Sequence, residues 1–396
     1  MNTIKCLRNT SPVNTYIGPG SSCMAGMLCE QMQLDKAFVI CDAGVKQAGL
    51  VDGILESLKE KGVSAYLFDQ VTADAPDTAI DAAADLCREQ GCKVVIGVGG
   101  GSTLDTAKSV VMLQNNPGKI AEYALDLTKP RVKGDTKLIL VPTTSGTGSE
   151  VTYSIVVSVS SKGAKIGLGG KDLYADIALL DPLLTVGLPR KQTVSTAMDA
   201  FSHCVESLLS TISNPVSDLL ALEGIRLIVN NIEKVLENGG DVEARQNIML
   251  AAYMAGMSLN DGGTSLGHAI AHTIGGAYHI PHGELCAVTA PMVIEYFAEL
   301  FPENIRKIAE LLGISLPANA SNAEIAAITA DAARALRTKL GMPKFSDFAF
   351  GYDDLPNLAQ MALNDICVMI LRASVPDHEI TAQDFLVPMQ KEYNLE

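Results

Sequence analysis

Histidine is scarce in this chain, with six in 396 residues. Long apolar runs are missing altogether. Although 47% of the residues are apolar, no stretch reaches the roughly 18–20 unbroken apolar residues of a membrane helix, so no membrane span is expected. The opening residues, MNTIKCLRNTSPVNTYIG, lack the apolar core of about 7–15 residues that a secretory signal needs. A cytoplasmic location is the expectation. Cysteine is not rare, at nine, but the number is odd and no C-x-x-C pair occurs. That argues against a disulfide framework or a zinc–thiolate site, and for reduced thiols packed mostly as small hydrophobes. Positive charge is also short. The formal net charge is −15 and no run of Lys or Arg offsets it, which argues against nucleic acid as a partner.

The length suits about two domains, and the two halves differ in pattern. In the first, short apolar runs alternate with helical patterns. KAFVICD (36–42), SAYLFD (64–69), KVVIGVGGGS (93–102) and TKLILVP (136–142) read as strands, as do YSIVVSVS and IALLD. Near-continuous apolar strands separated by helices imply a parallel sheet covered on both faces. After about residue 187 helical patterns dominate. One of them starts at Asn214-Pro215, with Asn as N-cap and Pro at the first helical position. The expectation is a dinucleotide-binding α/β domain over residues 1–187 and an all-α domain over 188–396. No internal repeat or low-complexity segment interrupts them.

Two loops follow strands in the first half. In GVGGGSTLDTAK (97–108), Gly99, Gly100 and Gly101 let a backbone approach a ligand closely. Ser102 is placed to cap the next helix, with Asp105 completing a capping box, and a helix N-terminus is a ready phosphate site. This is neither G-x-G-x-x-G nor a P-loop, because Lys108 lies too far along the helix. The second loop, PTTSGTGSE (142–150), offers the hydroxyls of Thr143, Thr144, Ser145, Thr147 and Ser149. Asp42 ends its strand, where an acid either accepts hydrogen bonds from an adenosine ribose or caps the following helix.

Four of the six histidines fall in GHAIAHTIGGAYHIPHG (267–283): His268, His272, His279 and His282. His268 and His272 are spaced i, i+4, as are Asp199 and His203 in MDAFSHCVE, so each pair shares a helix face. His282 is expected on a loop, with Gly275 and Gly276 turning the chain before it. One carboxylate with neutral imidazoles suits a divalent metal. His378, in VPDHEI, reads as a surface residue.

GGGSTLDTAK, PTTSGTGSEVT, LLDPLLTVGLP, MDAFSHCVE and GHAIAHTIGGAYHIPHG occur in this order, and together they resemble the iron-containing (type III) alcohol dehydrogenases over roughly residues 10 to 300. The resemblance implies a Rossmann-like N-terminal domain, a helical C-terminal domain and a dimer or larger homo-oligomer. It implies metal ligands Asp199, His203, His268 and His282, for Fe(II) foremost, with Zn(II), Mn(II) and Ni(II) also compatible. Gly100, Gly101 and Ser102 would hold the NAD(H) pyrophosphate, with Thr143 and Thr144 along the cofactor and Lys165 near the nicotinamide ribose. His272 corresponds to a histidine beside the metal that does not bind it, suited to relaying a proton. His279 stands where many members carry Asn or Asp, which makes it a substrate-pocket candidate. Thr103, Ala197 and the segment NDGGTSLGH depart from the family pattern, and nothing beyond about residue 300 matches a motif.

The expected reaction is hydride transfer between NAD(H) and a small alcohol, aldehyde or ketone. A divalent cation eases loss of the alcohol proton and polarises a carbonyl. Two other readings compete. A dehydroquinate-synthase-like lyase or cyclase would call for a Glu with two His and an Arg/Lys cluster. A non-catalytic nucleotide- or metal-binding protein would show binding without turnover.

Overall fold

The computed structural model describes residues 12–72 and 74–395. The chain forms two compact units. One runs to Leu188 and includes Asn238–Met249; the other comprises Pro189–Glu237 and the chain from Leu250 onward.

In the first unit, six parallel strands make one sheet: β1 (Asn14–Ile17), β2 (Lys36–Asp42), β3 (Ser64–Val71), β4 (Val94–Gly99), β5 (Lys137–Pro142) and β8 (Ile177–Leu180). Their spatial order is β1-β8-β5-β4-β2-β3. The helices of this unit are α1 (Ala25–Gln31), α2 (Ala43–Gln47), α3 (Asp52–Glu60), α4 (Asp77–Gln90), α5 (Gly101–Asn115) and α6 (Ile120–Leu125). Strand periodicity divides the core. Phe38, Ile40, Val95, Leu138 and Leu140 pack with Ile80, Leu104 and Val110 on one face. Ala37, Val39, Cys41, Ile96 and Ile139 pack with Leu28, Ile54 and Leu58 on the other. Both faces are therefore dry, as apolar parallel strands require.

Two features depart from expectation. YSIVVSVS does not join the parallel sheet: β6 (Ser154–Val159) pairs antiparallel with β7 (Ala164–Gly169) in a separate two-stranded sheet. Its burial alternates along the strand, which is the pattern of a strand packed on one side only. Asn238–Met249, expected with the helical half, belongs to the first unit. The Arg245 guanidinium holds it there, donating from Nε to the Gly239 carbonyl at 3.0 Å and from Nη2 to the Val186 carbonyl at 3.4 Å.

The described part of the second unit is helical. It contains α7 (Arg190–Leu208), α8 (Pro215–Glu237), most of α9 (Val242–Gly262), α10 (Leu266–Tyr278), α11 (His282–Tyr296), α12 (Pro302–Leu311), α13 (Asn322–Lys339), α14 (Leu355–Ala362), α15 (Val368–Ser374) and α16 (Ala382–Leu395). α8 starts as its sequence predicts: Asn214 Oδ1 accepts from the Val216 and Ser217 amides at 2.9 and 3.1 Å. Among the described residues, no helix is long and apolar enough to cross a membrane.

Candidate metal centre and nucleotide-binding edge

In the first unit, the chain steps outward from β2 to β3, then returns to the other side of β2 to form β4. This reversal is a topological switch point, and open α/β sheets bind ligands beside the carboxyl ends of the strands there. Asp42 ends β2, Gly99 ends β4, and Gly100–Ser102 follow it. Thr143 follows β5, and its amide donates to the Gly99 carbonyl at 3.0 Å. The glycine loop packs tightly on the threonine loop. A Cβ on Gly101 would lie 2.7 Å from Thr147 Cγ2, so close approach, rather than unusual dihedrals, demands glycine here.

The expected capping box is absent. α5 begins two residues earlier, with Gly100 as N-cap and no side-chain cap, which puts Ser102 inside the first turn. Ser102 Oγ accepts from the Asp74 amide at 3.1 Å. Asp105 turns away from the helix start, accepting from Ser149 Oγ at 2.7 Å and the Val156 amide at 2.9 Å. Lys108 is fully buried and donates to Ser149 Oγ at 2.7 Å and the Ser154 carbonyl at 2.8 Å. Burial pulls its ammonium down to about 8. Asp105 and Lys108 thus fasten α5 to the second loop, a role that sequence reading missed. Asp42 caps α2, accepting from the Val45 amide at 2.9 Å. Lys165, on β7, pairs with Asp74 Oδ1 at 2.6 Å.

In the second unit, α7 carries Asp199, His203 and Glu206 at i, i+4 and i+7, on one face. α10 carries His268 and His272, and His282 is the first residue of α11. His282 therefore stands on a helix, not on the expected loop. Gly275 and Gly276 lie inside α10; the turn falls at His279, which takes the left-handed conformation at φ 55°. A residue ending a helix this way closes its last turn, and the His279 amide donates to the Gly275 carbonyl at 3.0 Å. His279 is exposed and His378 is a surface residue paired with Asp384 Oδ1 at 2.6 Å.

Asp199, His203, His268 and His282 come together. Asp199 Oδ1 lies 3.7, 3.7 and 3.4 Å from the Nε2 atoms of His203, His268 and His282. It is buried without a hydrogen bond. Donors bound at about 2.0–2.2 Å to one tetrahedral cation stand about 3.4 Å apart, so this spacing suits a shared divalent ion. An orphan carboxylate oxygen amid imidazoles is otherwise costly. Burial pushes the His203 imidazole down to about 4, whereas, against burial, Cys286 and Asp199 hold the His282 imidazole up at about 10; a bound cation would displace that proton.

Four residues around this centre escaped the sequence reading. Glu206 Oε1 accepts from His268 Nδ1 at 2.5 Å, while its Oε2 accepts from the Ser265 amide at 2.5 Å. That arrangement aims His268 Nε2 at Asp199, the carboxylate–histidine pairing that orients metal ligands. Its i+7 position from Asp199 was the available signal. Asp365 Oδ2 lies 3.1 Å from His272 Nδ1, and Cys367 Sγ lies 3.9 Å from the same nitrogen; no local pattern marks either residue. Cys286 stands beside His268 and His282. The His272 ring stacks on His282 with centroids 5.3 Å apart. Glu206→Gln should leave the fold intact but lower metal affinity roughly 10–100-fold, because the amide cannot match the carboxylate at His268 and the Ser265 amide together. Titration with a competing chelator measures this; unchanged affinity would mean that His268 needs no such partner.

Residues 12–182 match the iron-containing alcohol dehydrogenase family, and residues 193–382 match the C-terminal region of the Fe-containing alcohol dehydrogenase family. The chain is 32% identical over 361 residues to the NAD-dependent methanol dehydrogenase of Bacillus methanolicus, covering 90% of this chain and 93% of that protein. The chain belongs to the iron-containing alcohol dehydrogenase family. It is also 33% identical over 363 residues to the 1,3-propanediol dehydrogenase of Klebsiella pneumoniae, covering 89% of this chain and 92% of that protein. A crystal structure of 1,3-propanediol oxidoreductase superposes with a TM-score of 0.89 at 30% identity, covering 98% of this chain and all of that one. This family member is an NAD-dependent alcohol dehydrogenase that uses an iron-type divalent metal. The lyase and non-catalytic readings are not favoured.

Proposed function

We propose that Asp199, His203, His268 and His282 hold the metal, and that Gly99–Ser102, Thr143, Thr144 and Thr147 hold the NAD(H) phosphates and ribose, with Lys165 near the nicotinamide ribose. The orphan Asp199 oxygen amid three imidazoles carries the metal reading. When bound, the cation supplies Lewis-acid polarisation of a substrate oxygen and the nicotinamide supplies the hydride. Glu206 orients His268, and Asp365 holds His272 Nδ1 so that Nε2 is the atom able to move the proton of the alcohol. Exposed His279 contributes at most at the rim of the substrate site. The substrate is a small alcohol or the matching aldehyde or ketone; relatives named for methanol and 1,3-propanediol support this class. Family resemblance further supports a cytoplasmic homo-oligomer, a dimer or larger, which sedimentation equilibrium tests.

Metal analysis of the purified protein, followed by NADH oxidation against short aldehydes and ketones, tests the whole reading. Stoichiometric metal with turnover supports it. Turnover undiminished by complete metal removal would overturn it.

Asp42 is proposed to favour NADH by repelling a 2′-phosphate beside the ribose. Its capping bond to Val45 uses one carboxylate oxygen and leaves the other free. Asp42→Gly is expected to relax the preference for NADH over NADPH while lowering stability by only a few tenths of a kcal/mol, since glycine also serves as an N-cap. The ratio of kcat/KM for the two cofactors measures it. Equal use of NADPH by the parent enzyme would confine Asp42 to capping.

A further inference from the structure

We propose that Asp69 sets cofactor choice together with Asp42, by engaging Lys46, an ammonium that would otherwise be free to receive the 2′-phosphate of NADPH. This rests on the reading of Asp42 given above and extends it to a second pair of residues. Asp42 is the N-cap of α2, and Lys46 follows it by four residues, one turn along that helix. Lys46 Nζ donates to Asp69 Oδ2, on β3. Asp69 reaches it where the two strands slip. Ile40 pairs with Phe68, but Asp42 pairs with Val71, so Asp69 and Gln70 together oppose Cys41. A bulge of this kind re-aims a side chain, and bulges recur beside active sites. This one falls at the carboxyl end of β2, the end at which an open α/β sheet takes its ligand.

The charged groups share one neighbourhood. Cys41 is fully buried; burial, Asp42 and Asp69 push its thiol up to about 11, while Lys46 pulls against them. Two carboxylates and one ammonium leave this end of β2 negative. The Lys46 side chain is 49% exposed and that of Asp69 30%, so the pair is open to a ligand and contributes little to stability. A lysine ammonium is a point charge suited to a phosphate, and Asp69 neutralises it. A site excludes one ligand by what it sets against it as well as by what it offers the other. Asp42 acts by repulsion, and Asp69 by occupying the cation.

The test compares kcat/KM for NADPH and NADH in the full-length, metal-loaded enzyme. Asp69→Asn keeps the shape of the side chain and removes its charge. It should raise the NADPH-to-NADH ratio roughly tenfold, the scale of one unit charge a few ångströms away near a protein surface. The gain should come through a lower KM for NADPH with kcat little changed, and it should shrink at high salt. Asp69→Ser, with its melting temperature checked, should shift the ratio in the same direction. Adding Lys46→Gln to Asp69→Asn should abolish the gain, and combining Asp69→Asn with Asp42→Gly should raise the ratio further than either change alone. A ratio unmoved by both Asp69 variants, where Asp42→Gly does move it, would overturn the role of Asp69 and leave that of Asp42 standing. A gain that survives Lys46→Gln would overturn the part given to Lys46. A ratio that Asp42→Gly also fails to move would remove the reading of Asp42, and this inference with it.

Discussion

His282→Ala should yield a folded protein that retains no divalent metal and has lost about 10³-fold in NADH-linked turnover. The side chain is one-third exposed and stands at the first position of α11. Truncating it opens no deep cavity, and alanine suits a helix. The loss falls on the centre. Asp199 Oδ1 has its shortest imidazole separation, 3.4 Å, to this residue. Removing one of the four proposed ligands sharply weakens binding. Without the Lewis acid, several kcal/mol of transition-state stabilisation disappear, and each 1.4 kcal/mol is tenfold in rate. Metal retained after dialysis, together with parental turnover, would reject His282 as a ligand. His272→Ala makes the contrast. Its Nδ1 faces Asp365 at 3.1 Å, so the variant should keep its metal and bind NADH while kcat falls at least about tenfold, the low end of general acid–base assistance. Metal loss in that variant would make His272 a ligand instead.

The parallel strands were legible because a strand buried on both faces has to be apolar along its length, and β2, β4 and β5 each run to a glycine, proline or acidic end. β1 was not. NTYI is a short edge strand with mostly exposed residues, and its place comes from pairing with β8, some 160 residues away. The capping box of α5 misled because Ser102 and Asp105 have the right spacing, yet Ser149 and the Val156 amide claim the carboxylate. The i, i+4 spacings of Asp199 with His203 and of His268 with His272 were readable, and these four side chains do come together. Cys286 has the same spacing from His282, but it became visible only once His282 was seen to begin a helix. Reading Gly275-Gly276 as the turn hid that. Gly275 instead serves contact: a Cβ there would approach Leu285 Cδ1 to 3.3 Å. Asp365 reaches His272 from 93 residues away, through tertiary folding that no local pattern announces.

Gly283→Ala, one residue past the proposed ligand, should be nearly as damaging as losing the ligand itself. A Cβ on Gly283 would sit 2.0 Å from the backbone carbonyl oxygen of Ser195 and 2.6 Å from its carbon, where real Cβ atoms stay beyond 3.0 Å. Both groups belong to helix backbone, in α11 and α7, so no side-chain rotation relieves the clash. The helices have to part by about 1 Å. Ser195 lies one turn before Asp199 on α7, so that movement separates Asp199 from His282, now 3.4 Å apart between Oδ1 and Nε2. Overpacking of this kind costs about 1–3 kcal/mol, and a displacement near 1 Å at a catalytic group costs about 10²-fold in rate. The variant should therefore melt at a lower temperature, release metal on dialysis and lose roughly 10²-fold in kcat/KM. Gly276→Ala is the control. It lies inside α10 with nothing within 4 Å of an added Cβ, and the change should be neutral or stabilise by up to about 1 kcal/mol. If Gly283→Ala matched the control in melting temperature and metal content, α7 and α11 would have enough slack to absorb a methyl group, and tight helix contact would not be what sets the distance between Asp199 and His282.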